Sequence, residues 1–377
     1  MTTGASIPRE ALEQIRAPIA AAGGIEIDPP AFQPLALILE MSGEAMRERL
    51  IVVQGAGETE MALRPDFTIP AARLHLQSGR PAGRYAYEGK AYRATAGAGG
   101  EPEEHLQIGF EVFADRDAPE ADAEIAALAW RAASAGGRRD LSIVFGDVAL
   151  FAGFVETLGV PPQLTARLVR AIFNPAHLRR ILGARNESAP GAGADRLAAL
   201  LASLPEADAV AILEDVWALA GVEPVGGRSA AEIVHRLAVR AAEGPSPRLS
   251  EDQAGLIRGY LAVDDEPHAA LETIARLAGT VGAGLDRALQ AWERRLSALA
   301  AEGLPLSAMR LVTGFAREFG YYDGLFFEVR SAALGDGRPV ATGGRYDGIF
   351  ARLGAPLACG AVGCMVRPAR AWSGADP

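Results

Sequence analysis

The feature that most constrains this chain is an interruption. Residues 1–160 alternate short apolar runs with helical patterns, and strand character returns over 305–377. Between them, residues 161–304 carry Ala, Leu and Arg at helical spacing with almost no strand signal. A sheet broken off and later resumed predicts an α+β fold with one discontinuous sheet-bearing domain, 1–160 plus 305–377, and an inserted all-helical domain, 161–304. The length of 377 residues suits two such units at roughly 150 residues per domain.

The local signals fill in that outline. Residues 84–88 and 106–113 read as strands joined by a Gly-rich connection at 97–100. A helix is expected over 119–133, with Glu120, Asp122 and Glu124 in its first turns where the helix dipole favours anions. Residues 141–145 form a short apolar strand, followed by Asp147 as N-cap of a helix ending near Gly159. In the middle stretch, 196–204, 207–220, 230–242 and 285–301 read as amphipathic helices broken by Gly and Pro. Beyond it, 324–332 and 338–342 read as strands around a Gly335-Asp336-Gly337 turn.

Composition excludes several classes. With 49% hydrophobic and 22% charged residues the chain has ample core-forming material, so wholesale disorder is excluded. No stretch approaches the ~18 apolar residues of a membrane span. No secretory signal is visible near the start, and Cys359 and Cys364 are too few for a disulfide framework or a zinc site, so a cytoplasmic, reducing compartment is expected. A net charge of −10 without any basic run weighs against a nucleic-acid partner.

Chemistry concentrates in four segments. On the strand 106–113, Leu106, Ile108, Phe110 and Val112 share one face, and Gln107, Gly109 and Glu111 share the other. The polar face fits a recess floored by Gly109, with Gln107 and Glu111 aimed at a small cationic ligand. On spacing alone the commoner arrangement is an antiparallel strand with one solvated face. In Leu63-Arg64-Pro65-Asp66-Phe67-Thr68-Ile69-Pro70, a capped helix start explains Thr68 and Pro70 but leaves Asp66 as a candidate second carboxylate. Tyr321 and Tyr322 bring flat surfaces and hydroxyls suited to an imidazole, or to a core. Residues 343–348 read as a Gly-rich turn without the lysine of a P-loop, and the five histidines show no ligand spacing.

Together these segments resemble the catalytic domain of histidyl-tRNA synthetase, a class II synthetase fold. Residues 24–33, with Pro30, look like the dimer-forming motif 1, and 84–113 look like the strand–loop–strand of motif 2. Residues 63–73 resemble the amino-acid-binding loop, 317–328 and 343–350 the two histidine signatures, and 360–370 a degraded motif 3. The helical insert sits where that family carries one. Most departures fall on the ATP side. Arg93 matches the motif 2 arginine, but Thr95 replaces the glutamate two residues on, and Glu101 and Glu103 stand where arginines meet the triphosphate. Glu318 replaces a glycine of the histidine signature, and no acid precedes Arg367 or Arg370. With the motif 3 resemblance falling just before Pro377, no anticodon-binding domain is expected.

This combination resembles the regulatory subunits of ATP phosphoribosyltransferase, which share the motif Leu63–Thr68 with Asp66 in place of glutamate. The resemblance implies a non-catalytic subunit without cofactor or metal. It implies a homodimer through the motif 1 region and a hetero-oligomer with the short catalytic ATP phosphoribosyltransferase subunit. It also implies L-histidine as ligand and a role in feedback regulation, with no membrane or nucleic-acid partner. By match to the family, Asp66, Thr68 and Gln107 contact the histidine α-amino group, and Glu111, Tyr321 and Tyr322 contact its imidazole. Arg93 pairs with its carboxylate and Arg317 lies near the same end. The alternative is a truncated histidyl-tRNA synthetase-like enzyme that activates histidine or aminoacylates a non-tRNA acceptor.

Overall fold

A computed structural model describes residues 7–54, 60–94, 104–114, 117–183, 200–201, 203–220, 229–231, 233–235, 248–315, 320–355 and 359–375. In chain order the strands are β1 (Ile25–Glu26), β2 (Phe32–Pro34), β3 (Val52–Gln54), β4 (Glu60–Leu63), β5 (Gly83–Tyr92) and β6 (Glu104–Phe113). They continue with β7 (Leu141–Asp147), β8 (Asp264–Asp265), β9 (Met309–Val312), β10 (Leu325–Ser331), β11 (Ala341–Arg345) and β12 (Ala361–Val366). Helices α1 (Arg9–Ala21), α2 (Leu35–Ser42), α3 (Thr68–Ser78), α4 (Ala118–Ala135) and α5 (Val148–Thr157) alternate with the first strands. The middle stretch contributes α6 (Pro162–Ala171), α7 (Pro175–Gly183), α8 (Glu206–Ala220), α9 (Glu251–Leu261), α10 (Pro267–Ala278) and α11 (Ala283–Ala301). The short helix α12 (Ile349–Arg352) follows β11.

Nine strands form the main sheet in the order β1-β5-β6-β12-β11-β10-β7-β9-β8. Its central pairs are antiparallel, while β1 joins β5 and β9 joins β7 in parallel. Strands from both ends of the sequence therefore alternate in one sheet, which is the physical content of the interruption. A second small sheet has the order β2-β4-β3.

The helix α4 lies across β10, β11 and β12 and is sandwiched between the sheet and α11. Ala123, Ala126, Ala127, Ala129, Ala132 and Ala133 of α4 are buried, and side chains this small let both layers approach closely. One core holds these alanines together with Phe110 and Phe327 of the sheet and Leu164, Ile257, Ile274, Trp292 and Leu299 of the middle stretch. Leu201, Ala209, Leu213, Ala230 and Val234 form a separate small cluster. The middle stretch thus divides by packing partner. Its flanks share the main core, and the residues around α8 pack on one another. It also supplies β8, a two-residue strand antiparallel to β9, so its described part is not wholly helical. Backbone pairing with an open sheet edge creates such a strand, and side-chain periodicity carries no trace of it.

Local expectations hold at several ends. Asp147 caps α5, its Oδ1 accepting from the N–H groups of Ala149 at 2.8 Å and Leu150 at 3.1 Å. Two readings change. Residues 343–345, expected in a turn, belong to β11, because Gly343 and Gly344 allow close backbone approach: a Cβ on Gly343 would overlap the carbonyl of Gly363. Thr68 opens α3 but its hydroxyl does not cap the helix. The Gly-rich connection 97–100 lies outside the described residues.

Candidate functional site

On the face of the sheet opposite α4, strands β5, β6, β11 and β12 and the first turn of α3 line a narrow recess of about 20 Å³. Residues 106–113 are antiparallel strand as expected, but the face bearing Gln107 and Glu111 is buried, not solvated: Gln107 is 0% and Glu111 1% exposed. The register explains the cavity. Gly109 pairs with Tyr87 of β5, and the Tyr87 ring occupies the space above Gly109 that a side chain would fill. Glu111 pairs with Gly363 of β12, where a Cβ would overlap Glu111 Oε2. Two glycines thus let Tyr87 and Glu111 lie flat along the floor.

Glu111 is bonded only to hydroxyls among the described residues. Thr68 Oγ1 donates to its Oε1 at 3.0 Å, Tyr87 Oη more weakly at 3.4 Å, and Tyr346 Oη donates to Oε2. Burial pushes the Glu111 carboxyl up to about 8, against the opposing effect of the Tyr346 and Thr68 hydrogen bonds. Asp66 is the second buried acid. Tyr321 Oη donates to its Oδ2 at 3.0 Å. Its Oδ1 is sealed from water with no well-formed hydrogen bond among the described residues, although the N–H groups of Thr68 and Ile69 lie close enough to favour its charge. Burial raises Asp66 as well, opposed chiefly by the positive charge of Arg93. Two carboxyls in one water-poor recess with hydroxyl partners make a place that favours protons or an arriving cation.

The walls are aromatic. The Tyr321 and Tyr322 rings are tilted by 48° at a 4.7 Å centroid distance, and Tyr346 meets Tyr321 edge-on at 5.7 Å. Arg93 also lines the recess, and its Nε donates to the Pro65 carbonyl at 3.0 Å. Burial holds the Cys364 thiol well above its usual range, so it offers no nucleophile at neutral pH. Among the described residues no group of three or more His, Cys, Asp or Glu is placed to hold a metal ion. None of the described helices is long and apolar enough to cross a membrane.

Asp66, Thr68, Arg93, Glu111, Tyr321 and Tyr322, named from sequence, all line this one recess. Gln107 shares the buried face but does not line the recess, and its Nε2 lies 3.1 Å from Nε2 of His105. Burial, with Arg367 and Arg93 nearby, depresses His105 to about 3, so that ring stays neutral. Arg317 lies outside the described residues, as do Thr95, Glu101, Glu103 and Glu318.

The sequence and the fold are similar to those of known proteins. The model of the histidyl-tRNA synthetase family matches residues 5–214 and 209–369. The ATP phosphoribosyltransferase regulatory subunit of Allorhizobium ampelinum is 33% identical over 349 residues, 91% of this chain and 92% of that one. That of Mesorhizobium japonicum is 32% identical over 90% of both chains. This chain belongs to the family of ATP phosphoribosyltransferase regulatory subunits. Two solved structures share the fold at 20% identity. One, from Bacillus halodurans C, is described as an ATP phosphoribosyltransferase regulatory subunit/histidyl-tRNA synthetase, with a TM-score of 0.66 over 97% of this chain and 78% of that one. The other, a histidine–tRNA ligase subunit from Alicyclobacillus acidocaldarius, gives 0.57 over 99% and 96%. The α+β, class II synthetase-like fold expected from the motifs is the one observed.

Sequence reasoning overlooked Tyr87, Tyr346 and Gly363. Tyr346 falls inside the segment 343–350 already matched to a histidine signature, so its signal was in view. Tyr87 and Gly363 act through cross-strand register, which no single segment reveals.

Proposed function

We propose that this chain is a non-catalytic regulatory subunit that binds free L-histidine in the recess and reports its level to the short catalytic subunit of ATP phosphoribosyltransferase. The observation that carries the proposal is the pair of buried acids, Asp66 and Glu111, whose hydrogen-bond donors are hydroxyls between tyrosine rings. Histidine supplies what such a recess lacks. Its α-amino cation suits Asp66 and Thr68, its imidazole suits Glu111 between Tyr321, Tyr322 and Tyr346, and its carboxylate suits Arg93. The names of the relatives support the regulatory role and the partner. Self-association through residues 24–33 completes the proposal, since homo-oligomers of this kind close on a two-fold axis. Coupling between two binding sites is reciprocal and typically worth about 1–3 kcal/mol.

The test is kinetic. Initial phosphoribosyl-transfer rates are measured for the catalytic subunit alone, with this chain, and with this chain plus histidine. The rate should rise on adding the chain and fall back with histidine. Equal rates in the first two cases, with no complex on gel filtration, overturn the regulatory reading. ATP–pyrophosphate exchange with histidine should stay at background; exchange at synthetase-like rates makes the chain an activating enzyme instead.

A further inference from the structure

A second set of buried acids lies behind the recess and takes no part in lining it. We infer that Arg345 is a positioning residue for the recess and that, through Asp122, it couples the recess to helix α11 across the sheet, an inference that rests on the histidine reading above. Arg345 and Tyr346 are consecutive at the end of β11, so extended backbone sends their side chains to opposite faces. Tyr346 bonds Glu111 in the recess. Arg345 Nε donates to Asp122 Oδ1 of α4 at 2.8 Å, and its Nη1 donates to Asp347 Oδ1 at 2.8 Å. The other oxygen of Asp122 accepts from Arg295 of α11, from Nε at 3.0 Å and Nη2 at 2.7 Å. Trp292 and Arg295 of α11 in turn hold Asp147 Oδ2, at 2.8 and 3.4 Å.

The aromatic walls are tied into the same linkage. Asp323, next to Tyr322, accepts from the N–H groups of Asp347 at 3.0 Å and Gly348 at 2.6 Å. Both sides of the tyrosine cage are thus fixed to one short segment, 345–348. That segment is anchored to the sheet by the Ala361 N–H on Asp347 and to the helices by Asp122. A ligand that displaces the Tyr346 hydroxyl from Glu111 pulls on Arg345. A shift of α11 moves Arg345 through Asp122. Buried ion pairs of fixed geometry transmit such shifts because a close-packed interior does not absorb them locally.

Arg295 touches no recess residue, which makes it the place to test. Histidine affinity is measured by calorimetry for wild type, Arg295→Met and Arg295→Lys, and backbone amide exchange over 283–301 is followed with and without histidine. We expect Arg295→Met to weaken histidine by at least about fivefold, Arg295→Lys to restore part of that loss, and histidine to slow exchange over 283–301 in wild type. A merely structural Arg295 lowers the melting temperature and leaves the affinity unchanged, which overturns the coupling. If Arg295→Met does not fold, the wild-type exchange decides: no change over 283–301 at saturating histidine overturns it equally. If wild type binds no histidine, the ligand reading fails by itself. The coupling is then tested in the ligand-free protein, where Tyr346→Phe should speed exchange over 283–301 and unchanged exchange disproves it.

Discussion

Two pairs of buried acids face away from each other across the same sheet, and they are treated in opposite ways. Asp122 and Asp147, on the helix side, are engaged at every oxygen by guanidinium, indole or backbone N–H groups. Asp66 and Glu111, on the recess side, are met mainly by hydroxyls, with Arg93 as the nearby positive charge. Burial alone does not separate them, since it raises Asp147 too, with Arg295 opposing. The difference lies in where the counter-charge comes from. A buried carboxylate supplied with its own cation joins layers together. One left to hydroxyls costs stability when ionised and recovers it only when a cation arrives, which marks a binding site.

The largest expected effect tests the structural half of this comparison. Asp122→Ala leaves Arg295 and Arg345 buried beside each other without their shared partner, a loss typically worth about 3–5 kcal/mol. Denaturant unfolding should show it as a fall in midpoint at unchanged slope. A loss below about 1 kcal/mol means that water or rearrangement satisfies both guanidinium groups, and the contrast between the two faces collapses.

The recess half is tested by Glu111→Gln, which keeps the shape and removes the charge. A charge-assisted hydrogen bond is worth roughly 1.5–3 kcal/mol, so histidine should bind about tenfold or more weakly. Stability should respond with the opposite sign. Because the folded carboxyl titrates near 8 and the unfolded one near 4.5, the folded state holds the extra proton between those values. Its stabilising effect is complete below the unfolded value and is lost as pH rises through the folded one. The ligand-free melting temperature of wild type should therefore fall between about pH 5 and 8, and Glu111→Gln should flatten that slope. A variant less stable than wild type at pH 8 with an unchanged slope removes Glu111 as the titrating group.

The two faces were also unequally legible in the sequence. The discontinuous sheet, α4 and the Asp147 cap follow from periodicity and end signals, which are local. Asp66 and Glu111 were visible because a carboxylate at a helix start and another on a strand demand explanation wherever the chain folds. The role of Asp122 was misread as dipole complementarity in a first helical turn. Its true partners, Arg295 and Arg345, lie 173 and 223 residues away in sequence. Tyr87 and Gly363 were invisible for the same reason: pairing register sets Tyr87 against Gly109 and Gly363 against Glu111, and register is a property of the assembled sheet.

The smallest effect sharpens the comparison most, because it removes one neutral donor and no charge. Thr68→Val keeps the volume of the side chain but deletes the hydroxyl that donates to Glu111 Oε1 at 3.0 Å. Tyr346 and, at longer range, Tyr87 remain on that carboxyl, so the ligand-free protein should lose about 0.5–1.5 kcal/mol, the net worth of one hydrogen bond. The direction of the accompanying pH effect is fixed. The Thr68 bond favours the charged form of Glu111, so its loss should move the pH dependence of stability upward. Thermal melts of wild type, Thr68→Val and Thr68→Ser across pH 5–9 measure both quantities. Serine should restore the wild-type profile, since it returns the donor to the same place. A downward or absent shift in the valine protein means that Thr68 does not hold the Glu111 charge, and that the tyrosines alone set the electrostatics of the recess.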